Sequence, residues 1–190
     1  FYNKDIFNDF GLTVPTTYTE FIDTCKALKD AGYAACAAGY QDQISIGANF
    51  YTMFYGTPYL SCENYVDETQ NQGKSWGEYP TFAQALTQFR EIIGYQNEDC
   101  RTITTDRAEQ LFANGESGMI IIGTWGLGAI MNYNPDLNCG GFMYPSEEKA
   151  EDNAIPLNTD DCWMILNDSP NADIADAFFC LLYTSDAADE

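Results

Sequence analysis

The sequence contains no histidine. That absence removes mixed Cys/His zinc sites, the Ser-His-Asp triad and the Cys-His pair together. Bases are scarce as well: 8 Lys and Arg stand against 29 Asp and Glu, a formal charge of −21. Phosphate backbones are bound through Lys/Arg patches, so this field argues against nucleic acid as a partner. The acids are scattered rather than gathered in a tail, the pattern of a highly soluble surface. No apolar run approaches the ~20 residues needed to span a bilayer. No signal peptide is visible, and a chain opening on Phe1 is expected to lack its natural start. None of the seven cysteines is spaced C-x-x-C, which disfavours dithiol redox chemistry. Cys25, Cys36, Cys62, Cys100, Cys139 and Cys162 fit either buried thiols or disulfides, with Cys62–Cys100 as the candidate pair.

What is present reads as a globular α/β chain. Of 190 residues, 45% are apolar and 19% charged, enough for one large domain or two small lobes. "TVPTTYTEFIDTCKALKDAG" predicts a helix: Thr17 and Glu20 form a capping box, Phe21, Cys25 and Leu28 share a face, and Gly32 supplies the stop. "YAACAAG" (33–39) is a short strand running into the polar turn Tyr40-Gln41-Asp42, and "ISIGANFYTMFYG" (44–56) a buried helix. Residues 57–79 read as a long surface loop in which Trp76 is a lid or an anchor. "PTFAQALTQFREII" (80–93) and "TTDRAEQLFANG" (104–115) are amphipathic helices, the second with Asp106 as N-cap and Gly115 as stop. "GMIIIG" (118–123) is a strand, followed by a helix from about Thr124 to Asn132. "GGFMYP" (140–145) and "WMIL" (163–166) are further strands, and "SPNADIADAFF" is a helix capped by Ser169. Helices alternating with short buried strands give an α/β fold. The last stretch, "CLLYTSDAADE" (180–190), breaks that helix's pattern and resembles a translated library-adapter end, so the chain is expected to be a gene fragment.

Four stretches in order carry a resemblance. "YNKDIFNDFGLTVPTTYTEFIDTCKALKDAG", "FANGESGMIIIGTW", "NPDLNCGGFMYP" and "WMILNDSPNADIADAFF" resemble successive elements of the extracellular solute-binding proteins, family 1, of carbohydrate ABC transporters, the maltose-binding-protein-like group. The resemblance implies a periplasmic-binding-protein-like (type II) two-lobed fold with mostly the second lobe present. Residues 1–145 would be that lobe, residues 146–179 the crossing and return into the first lobe, and residues 180–190 a non-native tail. The sequence departs from the family pattern at Gly118, where the pattern has alanine, and at "LNTDDCWMI".

In open α/β sheets, ligands sit beyond the carboxyl ends of the strands. Trp125, between Gly123 and Gly126, would offer a broad aromatic plane there for the C–H face of a sugar, and the helix starting near Thr124 would offer backbone N–H donors. Tyr40, Gln41 and Asp42 follow another strand end, where amide and carboxylate can each engage sugar hydroxyls. Tyr51, more than Phe50 or Tyr55, is expected to floor the cleft, and Asp160 or Asp161 to reach in from the other side. For each of these the plain alternative is a core, turn or cap role. The expected function is capture of a mono- or oligosaccharide by a monomeric, extracellular subunit, periplasmic or a cell-surface lipoprotein, that hands it to ABC permease subunits. The reading needs no cofactor, metal or catalytic residue. Two other classes remain: a glycoside-acting enzyme, although the neighbours Asp160 and Asp161 define no spacing across a glycosidic bond, and a carbohydrate-binding surface module built on the Tyr-rich stretch 50–79.

Overall fold

The computed structural model describes residues 1–55, 65–155 and 163–184, which belong to two units, Phe1–Pro156 and Leu157–Glu190. The first unit is built on a four-stranded mixed sheet of β1 (Tyr2–Asn3), β2 (Ala34–Ala37), β3 (Ser117–Ile120) and β4 (Cys139–Gly140), in the order β2-β3-β1-β4. Strands β2 and β3 are parallel, with Cys36 opposite Met119 and Ala37 opposite Ile120, and β1 runs antiparallel to both β3 and β4. One edge therefore collects the ends of β2, β3 and β4 and the beginning of β1. Ligands of such sheets gather at edges of that kind.

The helices are α1 (Lys4–Asp9), α2 (Tyr18–Asp30), α3 (Gln43–Tyr55), α4 (Tyr65–Gln70), α5 (Pro80–Ile93), α6 (Thr105–Ala113), α7 (Gly126–Tyr133) and, in the second unit, α8 (Ala172–Thr184). Side-chain alternation splits the core across the sheet. Cys36 and Met119 join Phe21, Cys25 and Leu28 of α2, Met53 and Phe54 of α3, and Ala85 and Ile92 of α5. Ala37 and Ile120 join Ala108, Leu111 and Phe112 of α6 and Ile130 of α7. Each fully buried Phe or Leu contributes about 1.5–3 kcal/mol of transfer free energy.

Local chemistry accounts for most boundaries. The capping box of α2 forms, Thr17 Oγ1 accepting from the Glu20 amide and Glu20 Oε2 accepting from the Thr17 amide. Gly32 and Gly115 follow α2 and α6 with φ of 90° and 73°, the left-handed region the stop signals require. The N-cap of α6 is Thr104 rather than Asp106: the Thr104 hydroxyl accepts from the Arg107 amide, while Asp106 lies inside the first turn and accepts from Tyr133 Oη and Gln110 Nε2. In the run Thr104-Thr105-Asp106 all three residues are cap-competent, and the extended backbone at Thr104 decides.

Other expectations are revised. Within the stretch read as a loop, α4 and a single 3-10 turn at Trp76–Glu78 form. The strand 118–123 is four residues, Ser117–Ile120, and the strand 140–145 shrinks to Cys139–Gly140. In the second unit, residues 163–166 have no regular secondary structure and no ladder partner among the described residues. A strand exists only through its neighbour. Instead Trp163 packs edge-on against Phe179 of α8, with ring centroids 5.6 Å apart. Helix α8 starts two residues beyond Pro170 and continues through Cys180 to Thr184, so the expected interruption at 180 does not occur in the backbone. Cys25, Cys36 and Cys100 are buried thiols and Cys139 a half-buried one; Cys62 and Cys162 lie outside the described residues.

Candidate functional site

The exit of β3 is shaped by close approach. After Ile120 the chain leaves the sheet through Ile121, Ile122 and Gly123 before Trp125 opens α7. A Cβ at Gly123 would lie 2.4 Å from Trp125 Nε1, and one at Gly126 would lie 2.6 Å from Ile122 Cδ1. The indole is thus folded back over the α-carbon of Gly123, and only glycine fits beneath it. Trp125 remains 52% exposed, a large aromatic left half in solvent. Single exposed apolar residues are common, but an indole packed against the backbone of Gly123 with half its surface open is a prepared surface. The first amides of α7 are not free, however. Gly126 N donates to Gly123 O and Leu127 N to Thr124 O, so these two of the expected donors are closed within the turn. Thr124 itself is exposed.

The exit of β2 behaves differently. The Tyr40 amide donates to Cys100 O and the Gln41 amide to Ile103 O, which fastens the turn to the segment before α6. Tyr40 directs its hydroxyl inward: it accepts from Gln96 Nε2 at 2.6 Å and donates to Asn49 Oδ1 at 3.3 Å, while its ring packs on Phe89. Burial pushes this phenol well above its ordinary pKa, so it stays a protonated donor. Asp42 also serves the fold. Its carboxylate accepts from the Thr105 amide and hydroxyl and from the Ile44 amide, joining the starts of α3 and α6. Burial works against its charged form, but bonds from Thr105, Ile44 and Ser45 outweigh that and hold the carboxyl below its usual range. Of the three turn residues, Gln41 alone is fully exposed.

The two exits are joined by a residue the sequence reading passed over. Asn49, 1% exposed on α3, donates from Nδ2 to Ser45 O at 2.9 Å and to Ile121 O at 3.0 Å, and accepts at Oδ1 from Tyr40 Oη and Gln96 Nε2. An amide inside the otherwise apolar run "SIGANFYTMF" was the available signal. Gln96 Oε1 is left without a partner in this buried group.

The remaining candidates separate further. Phe50 belongs to the aromatic core, stacked on Phe54 and edge-on to Phe82 and Phe89. Trp76 packs on Phe54, Phe82 and Tyr79, which makes it an anchor of its segment. Tyr51 sits on α3, but its side chain, like Asp160 and Asp161 entirely, lies outside the described residues. Glu109 is buried near the exits on α6, and burial, reinforced by Asp106 and Asp42, raises its carboxyl above the ordinary range. A small pocket of about 60 Å³ lies against the β3 exit, lined by Ile121, Ile122, Thr52, Phe142 and Tyr144 among others. A groove of about 420 Å³ lies between the start of α2, α5 and residues 146–148, and none of the candidate residues lines it. Among the described residues, no group of three His, Cys, Asp or Glu side chains is placed to hold a metal ion.

Comparison with known proteins gives consistent relatives. The family described as bacterial extracellular solute-binding protein matches residues 1–189. Among curated proteins, the sn-glycerol-3-phosphate-binding periplasmic protein UgpB of Agrobacterium fabrum is 28% identical over 161 residues, covering 82% of this chain and 36% of its own length. The chain therefore spans about a third of the length of the curated relatives it matches. Among solved structures, RafE, known from Streptococcus pneumoniae, in complex with raffinose superposes with a TM-score of 0.73 at 23% identity, over 94% of this chain and 47% of that one. A chitin oligosaccharide binding protein gives a TM-score of 0.66 at 21% identity, over 80% and 38%. At these identities the likeness is one of fold: the mixed α/β architecture of the type II, two-lobed binding proteins.

Proposed function

We propose that this chain, which belongs to the bacterial extracellular solute-binding proteins, supplies one lobe of a carbohydrate receptor for an ABC importer. Residues 1–145 form that lobe, the chain after it returns toward the other lobe, and the ligand lies on the edge where β2 and β3 end. Trp125 offers the plane on which a pyranose C–H face rests; Thr124 and Gln41 are the exposed polar groups flanking it at the two exits. Tyr40 and Asp42 act from beneath, fixing the turn that carries Gln41. Closure of two lobes around the sugar and docking of the closed form on permease subunits follow from that architecture. The receptor binds and releases, is monomeric, and works outside the cytoplasm, in the periplasm or on a lipid anchor.

The single observation that supports this reading is the half-exposed indole packed against the backbone of Gly123 at a strand exit. The curated relatives named for sn-glycerol-3-phosphate suggest a phosphate ester as the second reading. Phosphate recognition calls for Arg or Lys, and the candidate residues at the two exits include one carboxylate and no cation. A neutral sugar is the better match. The test is titration of the chain with neutral mono- and oligosaccharides and, separately, sn-glycerol-3-phosphate, following the indole N–H resonances by NMR. Saccharides are expected to move the Trp125 signal at millimolar concentration, and the Trp125→Ala variant to lose binding. A Trp125 signal that no saccharide moves removes the carbohydrate reading.

A further inference from the structure

We propose that Asn49 is the positioning residue of this face, the tie that sets the β2 exit and the β3 exit in one fixed arrangement. The inference rests on the reading that these exits form the ligand surface, but the coupling it describes is a property of the protein alone.

The chemistry of the side chain carries it. A primary amide has two N–H donors and an oxygen with two acceptor positions. In Asn49 all four are engaged, one within its own helix and three by other parts of the chain. The two donors go to Ser45 O on its own helix and to Ile121 O, the first carbonyl after β3. The oxygen takes Tyr40 Oη from the turn after β2 and Gln96 Nε2 from the segment that bridges to Cys36 in β2. The β2–β3 ladder ends at Ala37 and Ile120; beyond it no backbone hydrogen bond links residue 40 to residue 121, and this amide makes the connection there. Ile121 lies four residues before Trp125, and the chain between them is held by the turn bonds at Gly126 and Leu127 and by the packing of Ile121 and Ile122 on the core. A shift of the Tyr40 hydroxyl is therefore felt at the Ile121 carbonyl, and through the short turn at the indole plane.

The arrangement also explains why a polar residue occupies a site that is 1% exposed in an apolar helix. A Leu of similar size would fill the space, but it would leave the Ile121 carbonyl, the Tyr40 hydroxyl and the Gln96 amide buried without it. Small networks of this type, almost fully satisfied, fix one geometry where apolar packing alone permits several.

Hydrogen–deuterium exchange resolved by residue tests this without any sugar. In Asn49→Ala, the bonded amides of Gly126 and Leu127 are expected to exchange about tenfold faster, while the α2 amides from Ile22 to Leu28 change by less than about twofold. Tyr40→Phe, which keeps the ring and deletes only the hydroxyl, is expected to speed the same two amides by about two- to fivefold, although it alters the opposite exit. It serves as the deciding variant if Asn49→Ala does not fold. Uniform acceleration across α2, α5 and α7, or no change at Gly126 and Leu127 in Tyr40→Phe, overturns the proposal. Saccharide titration of the indole signal judges the ligand reading separately: selective exchange with an unmoved indole leaves the tie standing and removes the sugar.

Discussion

Asp42 shows how a side chain suited to bind a ligand can be committed to the fold. Both carboxylate oxygens accept bonds from α3 and α6, so replacement by Ala removes a cap from one helix start and a tie to another. Asp42→Ala is expected to cost about 1–2 kcal/mol, as lost caps do, measured by urea unfolding. The folded carboxyl sits below its ordinary range, so its contribution is whole at neutral pH and disappears only as acid titrates it. The gap between wild type and variant should therefore close in strong acid and not before. Residue identity alone marked 40–42 as polar groups after a strand, and the structure confirms the turn; which way each group faces was not legible, because it depends on Thr105 and Gln96, dozens of residues away. Trp125 was more readable. Its flanking glycines announce close approaches, by the indole itself at Gly123 and by the Ile122 side chain at Gly126. Gly118 is of the same kind, since a Cβ there would meet Leu28 Cδ1 at 2.6 Å, which accounts for glycine where the family pattern has alanine.

Helices were legible where their ends are written locally. Helix α2 carries a capping box, an apolar stripe and a glycine stop, and all three appear as read. Helix α6 was placed correctly but capped by the wrong residue, because three consecutive residues can each accept the bond. The distinction is measurable. Thr104→Ala is expected to lower stability by about 1 kcal/mol, whereas Asp106→Ala, on the exposed face, should stay within about 0.5 kcal/mol. The reverse order in thermal or urea denaturation would restore Asp106 as the cap. Segments whose structure depends on partners elsewhere were not legible. Residues 163–166 have strand-like composition and no strand beside them among the described residues. Helix α4 lacks an apolar stripe, with Asp67, Glu68 and Gln70 filling its short length. Side chains beyond its end hold that region in place: Lys74 Nζ pairs with Glu68 of the helix, and Trp76 packs on Phe82.

The charge of the whole chain leaves one titration isolated. With no histidine in the sequence, side chains of that type contribute nothing between pH 6 and 8. In a polypeptide that starts at Phe1, the α-amino group of that residue titrates there. It donates to Ile120 O at 2.8 Å as an extension of the β1–β3 ladder, and burial lowers its pKa to about 6, although the Cys36 and Cys139 thiols push the other way. An ordinary α-amino group has a pKa near 8. Between these values the unfolded chain holds a proton that the folded chain has released, so stability must rise with pH. A difference of about two pKa units corresponds to about 2–3 kcal/mol. Urea midpoints should therefore climb from pH 6 to pH 8 and level off above. Placing one residue before Phe1 replaces the ammonium by an ordinary amide, which can make the same bond to Ile120 and has no proton to lose. That variant should hold its pH 8 stability down to pH 6. Equal slopes in the two chains would mean that the amine is solvated and that the sheet edge beneath the proposed ligand face begins one residue later than the hydrogen bonds indicate.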